Sequence, residues 1–200
     1  MTRTQKESKR IRDLIRIGIF SALWIAAGWL IACTIGFFPP ILIALPCILA
    51  IVGALIYVVL LSKLNIRGGI LIPSLLFGVC LFTMVPYGML FFCTAAGGIS
   101  GEIIYNIAGK KSRYAEMAGI ALPMLGLAAG EYIPLCFMQE AFMAQYADTF
   151  TGSTGAAALK LVSPGLAVIL TVVTIICAIL GYLWGTKIIA RQSVKQKGTF

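Results

Sequence analysis

Glu131 is the acid whose setting points most directly to chemistry, because it lies in the run Ala128-Ala-Gly-Glu-Tyr-Ile-Pro134, deep within an apolar stretch. A carboxyl placed there is costly unless it does something, so a buried acid in such a run is a functional candidate. The competing reading is an acid that emerges at a membrane surface near Pro134. Tyr132 follows at once, Gln139 and Glu140 come about two turns later, and Tyr146 lies close in sequence. With Trp29 and Tyr87 they could line a pocket holding a few polar groups in an apolar wall, although each aromatic alone fits an interfacial belt. Glu102 and Asn106 stand four residues apart, a spacing that lets side chains on one helix face meet, and they read as a hydrogen-bonded structural pair.

The chain contains no histidine, which removes Ser-His and Cys-His nucleophile pairs, histidine proton relays and HExxH metal sites. No catalytic residue and no metal ligand is therefore assigned. Cys33, Cys47, Cys80, Cys93, Cys136 and Cys177 lie in or beside apolar runs without CxxC spacing and read as small core residues. Gly97, Gly98 and Gly101 follow no strand, so they signal close helix packing rather than a nucleotide site.

The elements that must position these residues are set by hydropathy and charge. The composition is 60% hydrophobic and 12% charged, with a mean hydropathy of +0.98. A water-soluble globule of this length could not hide so much apolar surface, so the class is an all-α integral membrane protein. Of 16 Lys and Arg residues, all but Lys160 fall in four clusters: Arg3 to Arg16, Lys63 with Arg67, Lys110 to Arg113, and Lys187 to Lys197. Cations near the ends of spans stay on the cytoplasmic side, so each interval between clusters must cross the membrane an even number of times. The charge of +9 anchors topology and meets anionic lipid rather than nucleic acid.

Six transmembrane helices follow, at about 13–36, 41–61, 68–84, 87–109, 114–138 and 164–188, in one domain spanning 1–200 with both termini cytoplasmic. The third is barely long enough to span and is expected to tilt little or to be partly re-entrant. Residues 139–163 form a long outer loop between helices five and six that carries Glu140, Asp148, Thr149 and Lys160. Loops of that length usually serve as lids or binding loops. The basic start followed by an apolar run is too long for a cleaved signal peptide and reads as a retained first helix.

Gly18, Ala22 and Ala26 recur every four residues on the first helix and make a flat face that another helix can approach, either within the chain or in a partner.

Arg12-Asp-Leu-Ile-Arg-Ile-Gly-Ile-Phe-Ser-Ala-Leu23, Gly109-Lys-Lys-Ser-Arg113, Gly130-Glu-Tyr-Ile-Pro134 and the six-helix plan together resemble the substrate-binding S components of energy-coupling factor (ECF) transporters. The group most resembled is the Trep_Strep, or MptD-type, family, over nearly the whole chain. The resemblance implies an ABC-type importer subunit of the bacterial plasma membrane. It would capture a vitamin or other micronutrient at the outer face and dock on a membrane scaffold subunit with two cytoplasmic ATPases. S components typically dock through an AxxxA face of the first helix, where this chain has Gly18-xxx-Ala22-xxx-Ala26. No cofactor is implied beyond ATP on the partner subunits, and no GxxxxGK[ST] occurs here. Two alternatives are a stand-alone small-molecule carrier and an intramembrane enzyme built on Glu131, Glu140 or Glu102.

Overall fold

The computed structural model describes residues 3–35, 43–64, 66–108, 112–145 and 162–197, and those residues contain helices and turns but no strand. In chain order the helices are α1 (Arg3–Ile35), α2 (Leu45–Lys63), α3 (Leu71–Cys80), α4 (Met89–Ile107), α5 (Arg113–Phe137), α6 (Gln139–Gln145) and α7 (Pro164–Lys197), with a 3-10 turn at Pro86–Gly88 before α4. Five helical spans, Glu7–Thr34, Leu45–Lys63, Pro86–Ile107, Arg113–Phe137 and Pro164–Gln192, are long and apolar enough to cross a membrane.

The third expected span, 68–84, is different. Only the 10 residues of α3 are α-helical there, about 15 Å of helix against a hydrocarbon core of about 30 Å. After Cys80 the chain loosens into successive i to i+3 turns, with Leu81 N–H donating to Gly78 O, Phe82 N–H to Val79 O and Met84 N–H to Leu81 O. These bonds keep backbone groups paired where an α-helix has stopped. The segment nevertheless runs beside α4 along its length. Gly68 bonds to Glu102 near one end of α4, Gly98 packs on Ser74 and Gly78 on Phe91, and Gly88 leads directly into Met89.

Glu102 holds this arrangement together. Its Oε1 accepts from Gly68 N–H at 2.8 Å and from Asn106 Nδ2 at 2.7 Å. Its Oε2 accepts from Ile70 N–H at 3.0 Å and from Leu71 N–H at 3.3 Å. The first N–H groups of a helix have no partner within it, and α3 has no side-chain cap of its own. A carboxylate from the neighbouring helix fills that place and meets the positive end of the helix dipole. The Glu102–Asn106 pair expected from spacing is thus present, and capping a second helix is its larger task.

α4 and α5 meet through glycine. A Cβ at Gly97 would strike Leu122 O, one at Gly101 would strike Gly119 O, and one at Gly126 would strike Cys93 O, all backbone atoms with no room to yield. The backbones therefore approach as small-residue seams in membranes do. Trp24 of α1 fills the centre of the bundle. It is 1% exposed, stacks on Phe77 with ring centroids 4.4 Å apart, and touches the site where a Gly53 side chain would stand.

One end of the bundle gathers positive charge. Arg16 donates to Lys63 O at the close of α2 at 2.8 Å and pairs with buried Asp13 at 3.2 Å. Tyr182, one turn before Lys187, donates to Glu116, one turn after Arg113. Described members of all four basic clusters accordingly lie at this end, whereas Lys110 and Lys111 fall outside the described residues.

Replacing Glu102 with leucine should lower stability by several kcal/mol, since each buried donor left unpaired costs about 1–3 kcal/mol, and glutamine should cost less because one oxygen still accepts. Thermal melting in detergent reads both, and a leucine variant as stable as the native protein would show that α3 needs no cap.

Candidate ligand-binding site

The end opposite the basic one is closed by a short cap. α5 ends at Phe137 and α6 begins at Gln139, so the expected loop over 139–163 starts as a helix. Phe142 of α6 is buried against Tyr132, Leu135 and Val162. Gln145 Nε2 donates to Thr83 O at 2.5 Å, which ties α6 to the turns after α3. Residues 146–161, including Tyr146, Asp148, Thr149 and Lys160, lie outside the described residues.

Under this cap Glu131 is 7% exposed, and its Oε1 has no hydrogen-bond partner among the described residues. Thr94 Oγ1 of α4 is likewise buried without a partner. Pro134 has no N–H, so it makes no helical bond to the carbonyl of Gly130, which becomes a further acceptor beside Glu131. Tyr132 is 2% exposed and donates its hydroxyl to Ile43 O at 2.8 Å. Cys47 Sγ lies 3.4 Å from Thr174 Oγ1, and Thr174 donates to Leu170 O at 2.8 Å. Tyr132 and this Cys47–Thr174 pair are satisfied, which leaves Glu131 as an interior acid without a donor among the described residues.

The residues singled out by sequence divide into groups. Tyr87, Gln139 and Glu140 come together and line one pocket of about 450 Å³ with Cys136 and Met138. Tyr87 is 75% exposed and takes φ 57°, a left-handed conformation that is unusual for a bulky side chain. Gly88 continues the reversal at φ 66°. Glu131 and Tyr132 lie inside, within the last two turns of α5. Trp29 is 38% exposed on α1 and does not line the pocket.

Gly18, Ala22 and Ala26 are exposed along α1, and a Cβ on Gly18 would meet nothing within 4 Å. The bundle-facing seam of α1 is instead Asp13, Ile17, Ser21, Trp24 and Gly28. Of the two readings left open by spacing, packing within the described chain is not what this face does.

Three residues of weight were not singled out from the sequence. Trp24 differs from Trp29 only in phase, and the spacing Asp13, Ile17, Ser21, Trp24 was the available signal for it. Thr94 carries no signal, since hydroxyls inside apolar helices usually bond their own backbone. Glu116 stands three residues from Arg113 and reads as part of a solvated cluster.

A family model described as a hypothetical bacterial integral membrane protein (Trep_Strep) matches residues 11–195. The chain belongs to that family. It is a multi-pass protein of a bacterial membrane, in keeping with the five long apolar helices among its described residues. No curated protein and no solved structure matches it.

A buried carboxyl without a partner lowers stability by about 1–3 kcal/mol on mutational scales. Glu131→Leu should therefore melt higher than the native protein when no ligand is present, the trade between stability and function found at binding sites. A lower melting temperature would mean that the carboxyl is bonded in the resting protein.

Proposed function

We propose that this protein is the substrate-capture subunit, the S component, of an ECF-type importer. In this reading all six apolar segments cross the membrane, α3 with its flanking turns making the third crossing. The basic end and both termini face the cytoplasm, and the cap of α6 and the turns after α3 faces outward. A small molecule such as a vitamin or other micronutrient is held beneath the cap by Glu131 and the acceptors around it. Tyr87, Gln139 and Glu140 line its entrance. Acceptors without matching donors favour a ligand that is neutral and rich in N–H or O–H groups, or cationic.

The observation that carries the reading is the open small-residue face of α1. Gly18, Ala22 and Ala26 are exposed, and only 22% of the most apolar window of this helix is buried. In lipid, helices associate where small side chains let backbones approach, so such a face suits docking on a membrane scaffold that carries two cytoplasmic ATPases. A stand-alone carrier has no use for it. An enzyme would need acids that work together, and the three proposed for one are dispersed: Glu102 caps α3, Glu131 is interior and Glu140 is exposed. The protein therefore has no catalytic role in this reading, and needs no cofactor beyond the ATP used by its partners.

Ala22→Trp should leave folding unchanged, because the position is exposed, yet abolish co-purification with the scaffold and ATPases and stop uptake. Full transport by the protein reconstituted alone would sink the proposal. Glu131→Gln should act differently, weakening binding of the co-purifying small molecule about tenfold or more, the worth of one hydrogen bond to a charged group, while docking persists. Equal affinity in both proteins would remove Glu131 from the site.

A further inference from the structure

Thr94 is a buried hydroxyl that the fold leaves unused. Among the described residues the buried Ser and Thr side chains are Ser21, Ser74, Thr94 and Thr174. Three of them donate to the carbonyl four residues earlier: Ser21 to Ile17 O at 2.7 Å, Ser74 to Ile70 O at 2.7 Å and Thr174 to Leu170 O at 2.8 Å. That is the usual recourse of a hydroxyl in an apolar helix. Thr94, 3% exposed, makes no such bond among the described residues. Its Oγ1 is sealed from solvent, as is Glu131 Oε1, so no surface water serves either atom.

The register of α4 and α5 brings these two side chains together. A Cβ at Gly126 would lie 3.1 Å from Thr94 Cα, and one at Gly130 would lie 2.7 Å from Leu90 Cα. The helices therefore run antiparallel, with Thr94 level with Gly126 and Leu90 level with Gly130. Glu131 stands five residues beyond Gly126, about 7.5 Å along α5. A helical side chain leans toward the N-terminus of its own helix, so Thr94 leans toward the capped end and Glu131 leans back toward the level of Thr94. Both face the centre of the bundle. Gly98, one turn after Thr94, packs on Ser74 of α3, and Met124, two turns before Glu131, touches the place where a Gly53 side chain would stand.

The unmet groups have a definite composition. Glu131 Oε1 accepts, the Gly130 carbonyl freed by Pro134 accepts, and the Thr94 hydroxyl has a proton to give. Two acceptors beside one donor complement an NH2 group conjugated to an acceptor atom, as in a carboxamide or an amino-substituted nitrogen heterocycle. An ammonium brings no acceptor for Thr94, and a carboxylate brings no donor for Glu131. We infer that Thr94 is a specificity-determining contact, and that with Glu131 it reads an uncharged NH2 group next to a carbonyl oxygen or ring nitrogen. This rests on the capture role proposed above, and it narrows what is captured to molecules that carry such a group.

The test uses three probes of one size, benzamide, benzylamine and benzoate, in thermal melting of the full-length protein in detergent at pH 7. Benzamide should raise the melting temperature at about tenfold lower concentration than benzylamine, the worth of one neutral hydrogen bond, and benzoate should not raise it. Thr94→Val keeps the shape and removes the hydroxyl, so it should erase the preference for benzamide, and Thr94→Ser should keep it. A probe-free melting temperature of Thr94→Val at or above the native value would show that it folds. Benzylamine or benzoate stabilising as well as benzamide overturns the inference, as does no stabilisation by benzamide or a preference that survives Thr94→Val. Native mass spectrometry of the small molecule that co-purifies separates the two levels of failure. Its loss from Glu131→Gln but not from Thr94→Val removes Thr94 and leaves the capture role standing, whereas full retention by both variants removes that site for capture as well.

Discussion

The bond from the Glu102 carboxylate to the first N–H groups of α3 is the constraint on which the rest of the bundle depends. A helix of 10 residues in an apolar medium has unpaired donors at its start and little length over which to recover their cost. By accepting from Gly68, Ile70 and Leu71, Glu102 makes the short helix possible and fixes its height against α4. Once that height is set, Gly98 meets Ser74 and Gly78 meets Phe91, and the chain leaves α3 early enough to turn through Tyr87 and Gly88. The broken segment therefore supplies the floor of the cap at the far end, where Thr83 receives Gln145.

Glycine and proline then make α5 the central element. The seam from Gly97 and Gly101 to Gly119 and Gly126 draws α4 and α5 together at backbone distance. Pro123 and Pro134 sit within α5, and each releases a carbonyl from helical bonding. Glu131 stands beside the second of these, so close packing and an acceptor-rich site come from the same stretch of chain. α1 is the opposite case. It touches the bundle through one narrow seam anchored by Trp24, and most of its apolar surface is left outward. Among the described residues nothing covers the small-residue face of α1, the face on which the proposed docking rests.

Much of this was legible in the sequence. Charge clustering and hydropathy located the long helices to within a few residues at most ends, apart from the polar extensions of α1 and α7 to Arg3 and Lys197. The Glu102–Asn106 pair and the glycine packing were legible because both depend on spacing along one helix. The length of α3 was not, because an apolar run of 17 residues at 68–84 looks alike whether it is helical throughout or unwinds after Cys80. The candidate site was half legible. Tyr87, Gln139 and Glu140 do meet, whereas Trp29 points away and Trp24, five residues earlier, is the buried one.

The sequence by itself determined that this is a membrane protein, where its helices lie and that its basic residues gather in four places, because partition into lipid and the placement of cations depend on local composition. It left open whether Glu131 lies within the bundle or emerges at a surface near Pro134. Only the tertiary structure decided which acids are spent and which are free. Glu102 and Glu131 are both buried carboxyls in apolar helices, and although Asn106 marks Glu102 as paired, nothing along the chain shows that Glu102 also caps a second helix. One meets the start of a broken helix and is fully engaged, while the other has a buried oxygen that no donor among the described residues reaches. The physical reason is that hydrogen-bond satisfaction is decided across helices, by which backbone groups the packing brings within about 3 Å.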